Sequence, residues 1–201
     1  SINNAKGVAT LNMLKQLADL SNPDYLTHDS EAIKVEWESG KVGLMTLWAS
    51  RSGTLLDDEG DAAITAATKL AAPATVGGGS VPAATLWWDG FTLAKNRPDA
   101  DAEASFQALV HAATSAKMAN DASDQAVWLV KGFTPGPKSL GVLAAAEMGA
   151  NPYPMLPHMS LMHGALGSEI VDFLQGKESA EQALADVEAA YTATAKEKGF
   201  L

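Results

Sequence analysis

The chain has no cysteine, which removes thiolate catalysis, disulfide staples and cysteine-rich zinc sites from consideration, and leaves the redox compartment unreadable. Positive charge is also scarce. Lysine and arginine total 14 against 24 aspartates and glutamates, a formal net charge of −10. Polyanion binding needs a basic face that displaces counterions, so nucleic acid is not an expected partner, and anionic membrane surfaces are disfavoured by the same sign. No apolar run approaches the roughly 20 residues of a membrane span. No signal-peptide pattern is present, and Ser1 runs straight into a helix-like pattern, as in a processed or cut chain. The four histidines, at positions 28, 111, 158 and 163, never pair at the helical i, i+4 spacing of a zinc site.

Motifs of catalysis are equally thin. "DDEGD" at 57–61 gathers acids without the register or closing glutamate of a calcium loop, and reads as a solvated turn or helix start. "VGGGS" lacks the following Lys-Ser/Thr of a phosphate loop and reads as a linker. There is no Gly-x-Ser-x-Gly elbow. No cofactor or metal is expected, and no enzyme activity is read from these residues.

What is there is a chain of 201 residues, 47% hydrophobic and 19% charged, enough for one large domain or two small ones. Val8, Leu11, Leu14 and Leu17 form a helix stripe behind a cap at Asn3 or Asn4. "EAIKVEWESG" reads as a short helix stopped by Gly40, and "KVGLMTLW" as a buried strand. A mixed helical segment runs to Pro73, and "ATVGGGSVP" is a flexible crossing into "ATLWWDGFTLAK", read as one strand. Asp99 or Asp101 caps a helix whose core face is Phe106, Leu109, Val110 and Ala113, and "NDASDQAVWLV" starts another. After a turn-rich loop, Leu166, Ile170, Phe173 and Leu174 mark a helix ended by Gly176. A last helix opens on a capping box of Ser179 and Gln182 and buries Leu184, Val187 and Tyr191. The order is α/β with very few strands for its helices, which implies that part of the sheet lies elsewhere.

Five tryptophans carry the functional signal. A pyranose presents apolar C–H faces within a ring of hydroxyls, so its site needs flat aromatics with Asp, Arg or His at the edge. Trp48, Arg51, Trp88, Asp89 and His163 supply those types at the ends of elements. Taken singly, each has a plainer reading as core or solvated surface; the combination raises the binding hypothesis. Side chains on a strand alternate between faces, so one of Trp87 and Trp88 can pack in the core while the other meets a ligand, and Trp88 takes the ligand role because Asp89 and Gly90 open the edge beside it.

"GVATLNMLKQLADL", "EWESGKVGLMTLWAS", "WWDGFTLAK", "EASFQALVHAATSAKMANDAS" and the run from "YPMLPHM" to "EKGFL" follow one another as in the extracellular solute-binding proteins of carbohydrate ABC transporters, the group that includes maltose-binding protein. The chain resembles the C-terminal half of that family. The resemblance implies a periplasmic-binding-protein type II-like α/β fold, with mostly helices around a small sheet. Residues 1–82 and 151–201 would belong to the second lobe and 83–150 to a return segment of the first. It implies a periplasmic or extracellular protein, monomeric when full-length. Such a protein captures a small carbohydrate or sugar alcohol between lobes and presents it to a membrane permease, with hinge closure and no chemistry. Trp48 falls near the cleft-lining strand end, Trp88 and Asp89 at the hinge-proximal wall, and Lys138 at the rim. His163 stands where relatives place an aromatic, a departure that favours a monosaccharide or polyol over a long oligosaccharide. Two rivals remain open: a glycoside hydrolase using Asp89 with Glu36, and a ligand-free interaction scaffold.

Overall fold

The computed structural model describes residues 1–57, 60–114 and 126–201. It is a mixed α/β structure, mostly helical, with one small parallel sheet. The chain divides into two compact units. One combines Ser1–His28 with Pro154–Leu201, and the other is Asp29–Tyr153.

The first unit is built from helices whose ends are written locally. α1 (Ala5–Asp19) starts at Asn4, whose Oδ1 accepts from the N–H groups of Lys6 and Gly7 at 2.9 and 3.2 Å. These are two of the donors that a helix start leaves orphaned. α7 (Met159–Glu169) and α8 (Val171–Leu174) are separated by a break at Ile170, where a single helix was expected, and Gly176 at φ +75° ends the second. α9 (Ala180–Glu197) starts at Ser179, which accepts from the Gln182 N–H at 3.2 Å. The reciprocal half of the expected capping box does not form. The Gln182 amide instead donates to Asp186 at 3.0 Å, a competing partner one turn ahead. Leu11, Phe173, Ala180, Ala183 and Leu184 make the core, edged by Ile2, Val8, Ile170 and Leu174. α9 packs mainly on α7, and both helices bury small residues, Ala165 on α7 and Ala183 and Ala195 on α9.

The second unit begins with α2 (Ser30–Glu38), capped by Asp29 and stopped by Gly40 at φ +71°, a left-handed conformation that a side chain would strain. The indole N–H of Trp37 donates to Thr68 Oγ1 at 2.9 Å, tying α2 to the end of α4 (Ala62–Ala67). α3 (Ala49–Ser52) runs into a 3₁₀ turn, Gly53–Leu56, whose Leu55 is buried. Lys138 Nζ meets Asp57 Oδ1 at 2.5 Å beside it. α6 (Leu140–Glu147) leads to β2 (Asn151–Pro152), which pairs in parallel with β1 (Thr85–Leu86).

Three expectations fail in this unit for one reason. The segment "KVGLMTLW" forms no strand, and Leu44 within it is 90% exposed. The strand expected over 83–94 shrinks to Thr85–Leu86. α5 (Asp99–Thr114) exists, but none of its residues is buried, and Phe106 and Val110 are exposed. Apolar pattern makes a segment eligible for a sheet or a core, but a partner element must cover it, and among the described residues none packs extensively on α5. Asp99 and Asp101 both lie inside the first turn of α5 rather than capping it. The crossing 74–82 is closed by an antiparallel bridge, Thr75 to Pro82, around Gly77 and Gly78 at positive φ. The helix expected from Asn120 falls largely on residues outside those described, and 126–130 are not helical.

Candidate functional site

Trp48 sits just before α3 with extended backbone, and its carbonyl accepts from Arg51 and Ser52 at 2.9 and 2.8 Å. That turn fixes the main chain while leaving the indole 67% exposed. Arg51, one turn on, points its guanidinium at Glu31 Oε1 at 3.1 Å. Both partners are well exposed, so the pair contributes little to stability and leaves the arginine available to other anions or hydroxyls. Trp88 is 52% exposed and Asp89 is exposed beside it, in a stretch with neither helix nor strand. These four residues share the second unit, as adjacent pairs. His163 lies on α7 in the first unit, at an exposed position two residues before buried Ala165. Lys138 is engaged with Asp57. Of the acidic run, Asp61 is the cap of α4, accepting from Ala63 and Ile64, so a helix start is what that end of it provides.

Trp87 is not a core residue. It is 48% exposed, comparable with Trp88. Its ring stacks on Tyr153 with centroids 3.8 Å apart and planes inclined by 27°. Its indole N–H donates to Thr85 Oγ1 at 2.9 Å. The strand register explains both contacts. Thr85 pairs with Asn151 and Leu86 with Pro152, and the Tyr153 N–H continues the ladder to the Leu86 carbonyl at 2.9 Å. Trp87 and Tyr153 therefore follow as the next opposed pair, on the face that also carries Thr85 two residues back. Neither Tyr153 nor Asn151 was legible as a site residue, because their partners are distant in sequence. The one local signal was the short apolar-proline run "ANPYP".

In the first unit a shallow pocket of about 270 Å³ is lined by Ile2, Met162, Glu188, Tyr191 and neighbours. Glu188 Oε1 accepts from Ser1 Oγ and Ile2 N at 2.6 Å and from Asn3 N at 2.9 Å. The Asn3 N–H, then the Ser1 hydroxyl and the Ile2 N–H, hold this carboxyl below the usual glutamate range. With one oxygen already saturated, Glu188 acts as a clamp on the segment entering α1. Among the described residues no group of histidines and carboxylates could hold a metal ion, and no helix is long and apolar enough to cross a membrane.

Compared with models of protein families and with curated proteins, the chain matches no family model and no curated relative.

Proposed function

We propose that the chain is the C-terminal portion of a type II-like solute-binding protein that captures a small carbohydrate or sugar alcohol for an ABC transporter permease. It works outside the cytoplasm and makes or breaks no bond. The observation that carries this reading is the exposure of Trp48, Trp87 and Trp88 in one unit. Tryptophan is highly buried on average, and three part-exposed indoles in a unit that also carries Arg51, Asp89 and Asn151 offer the aromatic faces and polar edges that a sugar ring needs. The uncovered stretch around Leu44 and the open helix α5 fit a protein whose remaining lobe would complete the sheet.

The test is tryptophan emission during titration with monosaccharides, disaccharides and sugar alcohols, on this chain and on a longer polypeptide carrying the first lobe. A saturable shift that is weak in the chain alone and strong in the longer protein is expected. A well-folded longer protein with no response to any member of the panel would refute the carbohydrate reading. Turnover of nitrophenyl glycosides would refute its non-enzymatic character.

A further inference from the structure

We infer that the carboxyl end of the β1–β2 pair is a preformed stacking platform, with Trp87 as the surface that receives the ligand and Tyr153 as the residue that positions it. The inference rests on the carbohydrate reading above and names its contact surface. The ligand class is a single sugar ring, with an apolar C–H face for the indole and equatorial hydroxyls for the edge.

Three observations converge. First, Trp87 is held on two sides, by the 3.8 Å stack on Tyr153 and by the 2.9 Å hydrogen bond from its indole N–H to Thr85. An aromatic fixed before binding loses little side-chain freedom when a ligand arrives. Second, the ring so held is still 48% exposed. A tryptophan whose purpose is packing would place that area against protein. Third, the platform stands where parallel strands end, and ligands of open α/β sheets bind beyond the carboxyl ends of such strands. The same sheet face carries Asn151, opposite Thr85 and exposed, whose amide offers both donors and an acceptor to ring hydroxyls. Trp88, the next residue, lacks this support: no stack or indole hydrogen bond holds it among the described residues.

The experiment follows the five tryptophan indole N–H resonances of the intact chain by NMR as methyl glucoside, and separately sorbitol, is added. The sugar should move the Trp87 resonance saturably, and sorbitol, which has no ring face, should move it far less. Tyr153→Ala should weaken the methyl glucoside response by about fivefold, the size of one aromatic pair, whereas Tyr153→Phe should preserve it. Leu44→Ala, at an exposed position of the same unit outside the aromatic set, should leave the Trp87 response in place. A response confined to Trp48 or Trp88, or one unchanged in Tyr153→Ala, overturns the platform and leaves the carbohydrate reading standing. No response at any indole, with a dispersed amide spectrum, overturns the platform, and the same silence in the longer polypeptide carrying the first lobe overturns the carbohydrate reading as well. Should Tyr153→Ala unfold, Thr85→Val decides. It keeps the stack and removes the indole tether, and an unaltered response would overturn the preorganised arrangement.

Discussion

Leu184→Ala is the sharpest test of how the first unit is held together. Leu184 is 2% exposed and lies on the inner face of α9. It is enclosed by Leu11 from α1, Phe173 from α8, and Ala180 and Ala183 of its own helix. Its Cδ1 would stand 3.1 Å from a β-carbon added to Gly7, so α1 comes close at a glycine and the leucine fills the space above it. Truncation to alanine removes three carbons, worth about 2.4 kcal/mol of transfer free energy at about 0.8 kcal/mol each. The walls belong to three different helices and cannot all close inward, so a cavity term adds to this and the total comes to about 3–4 kcal/mol. For a small domain that lowers the melting temperature by about 12–32 °C. The assay is urea and thermal unfolding by far-UV circular dichroism, with Leu44→Ala as the comparison. Leu44 is 90% exposed, so its truncation should stay within about 0.5 kcal/mol of zero. A cost below about 1 kcal/mol at position 184, or an equal cost at position 44, would refute the assignment of the core.

Two further outcomes follow from local geometry. Glu188 has a carboxyl pKa lowered in the folded state, chiefly by the Asn3 N–H and the Ser1 hydroxyl. A lowered folded pKa adds stability above the unfolded glutamate value, and that stability is lost as pH falls from there through the folded value. Urea midpoints measured against pH should therefore drop across this acidic window and flatten in Glu188→Gln; an identical slope in the variant would show that the clamp is not formed in solution. Gly40→Ala places a side chain at φ +71° with its β-carbon 3.1 Å from Ile64 Cδ1. It should cost about 1–2 kcal/mol by thermal melting, and a neutral result would mean that α2 ends differently.

What could be read from the sequence was what neighbours in the chain decide. Asn4 and Ser179 cap the helices they precede, Gly40 and Gly176 end theirs, and Leu184 and Val187 face inward, because each depends on residues within one or two turns. Where reading failed, the deciding partner was remote or the local options competed. Gln182 could turn back to Ser179 or forward to Asp186, and nothing in the spacing ranks the two. "KVGLMTLW" has the composition of a buried strand, but strand formation depends on a second strand to pair with. The double tryptophan shows both sides of this. Alternation separates the faces of adjacent residues, yet it cannot say which of them a distant Tyr153 will back, and in the structure that ring is Trp87.

The size of that platform also bears on how a sugar could be held. With 48% of a large aromatic exposed, about 100 Å² of Trp87 remains to be covered, worth about 2–3 kcal/mol at about 25 cal/mol per Å². A millimolar complex already requires about 4 kcal/mol of net binding free energy after the loss of translational and rotational freedom, and a micromolar one about 8. One stacked face therefore leaves a sugar at millimolar affinity or weaker. Hydrogen bonds from Asn151 and from the charged Asp89, at about 1–3 kcal/mol each, narrow the gap without closing it. Trp48 and Arg51 could add a second face and a bidentate donor, but tight capture needs those groups to engage the ring from the side that Trp87 leaves uncovered. A site divided between surfaces meets that requirement, and it makes weak binding by this chain the expected result. Micromolar affinity for a monosaccharide in the chain alone would show that these residues already form one closed site, and the division of the ligand between two lobes would then have to be given up.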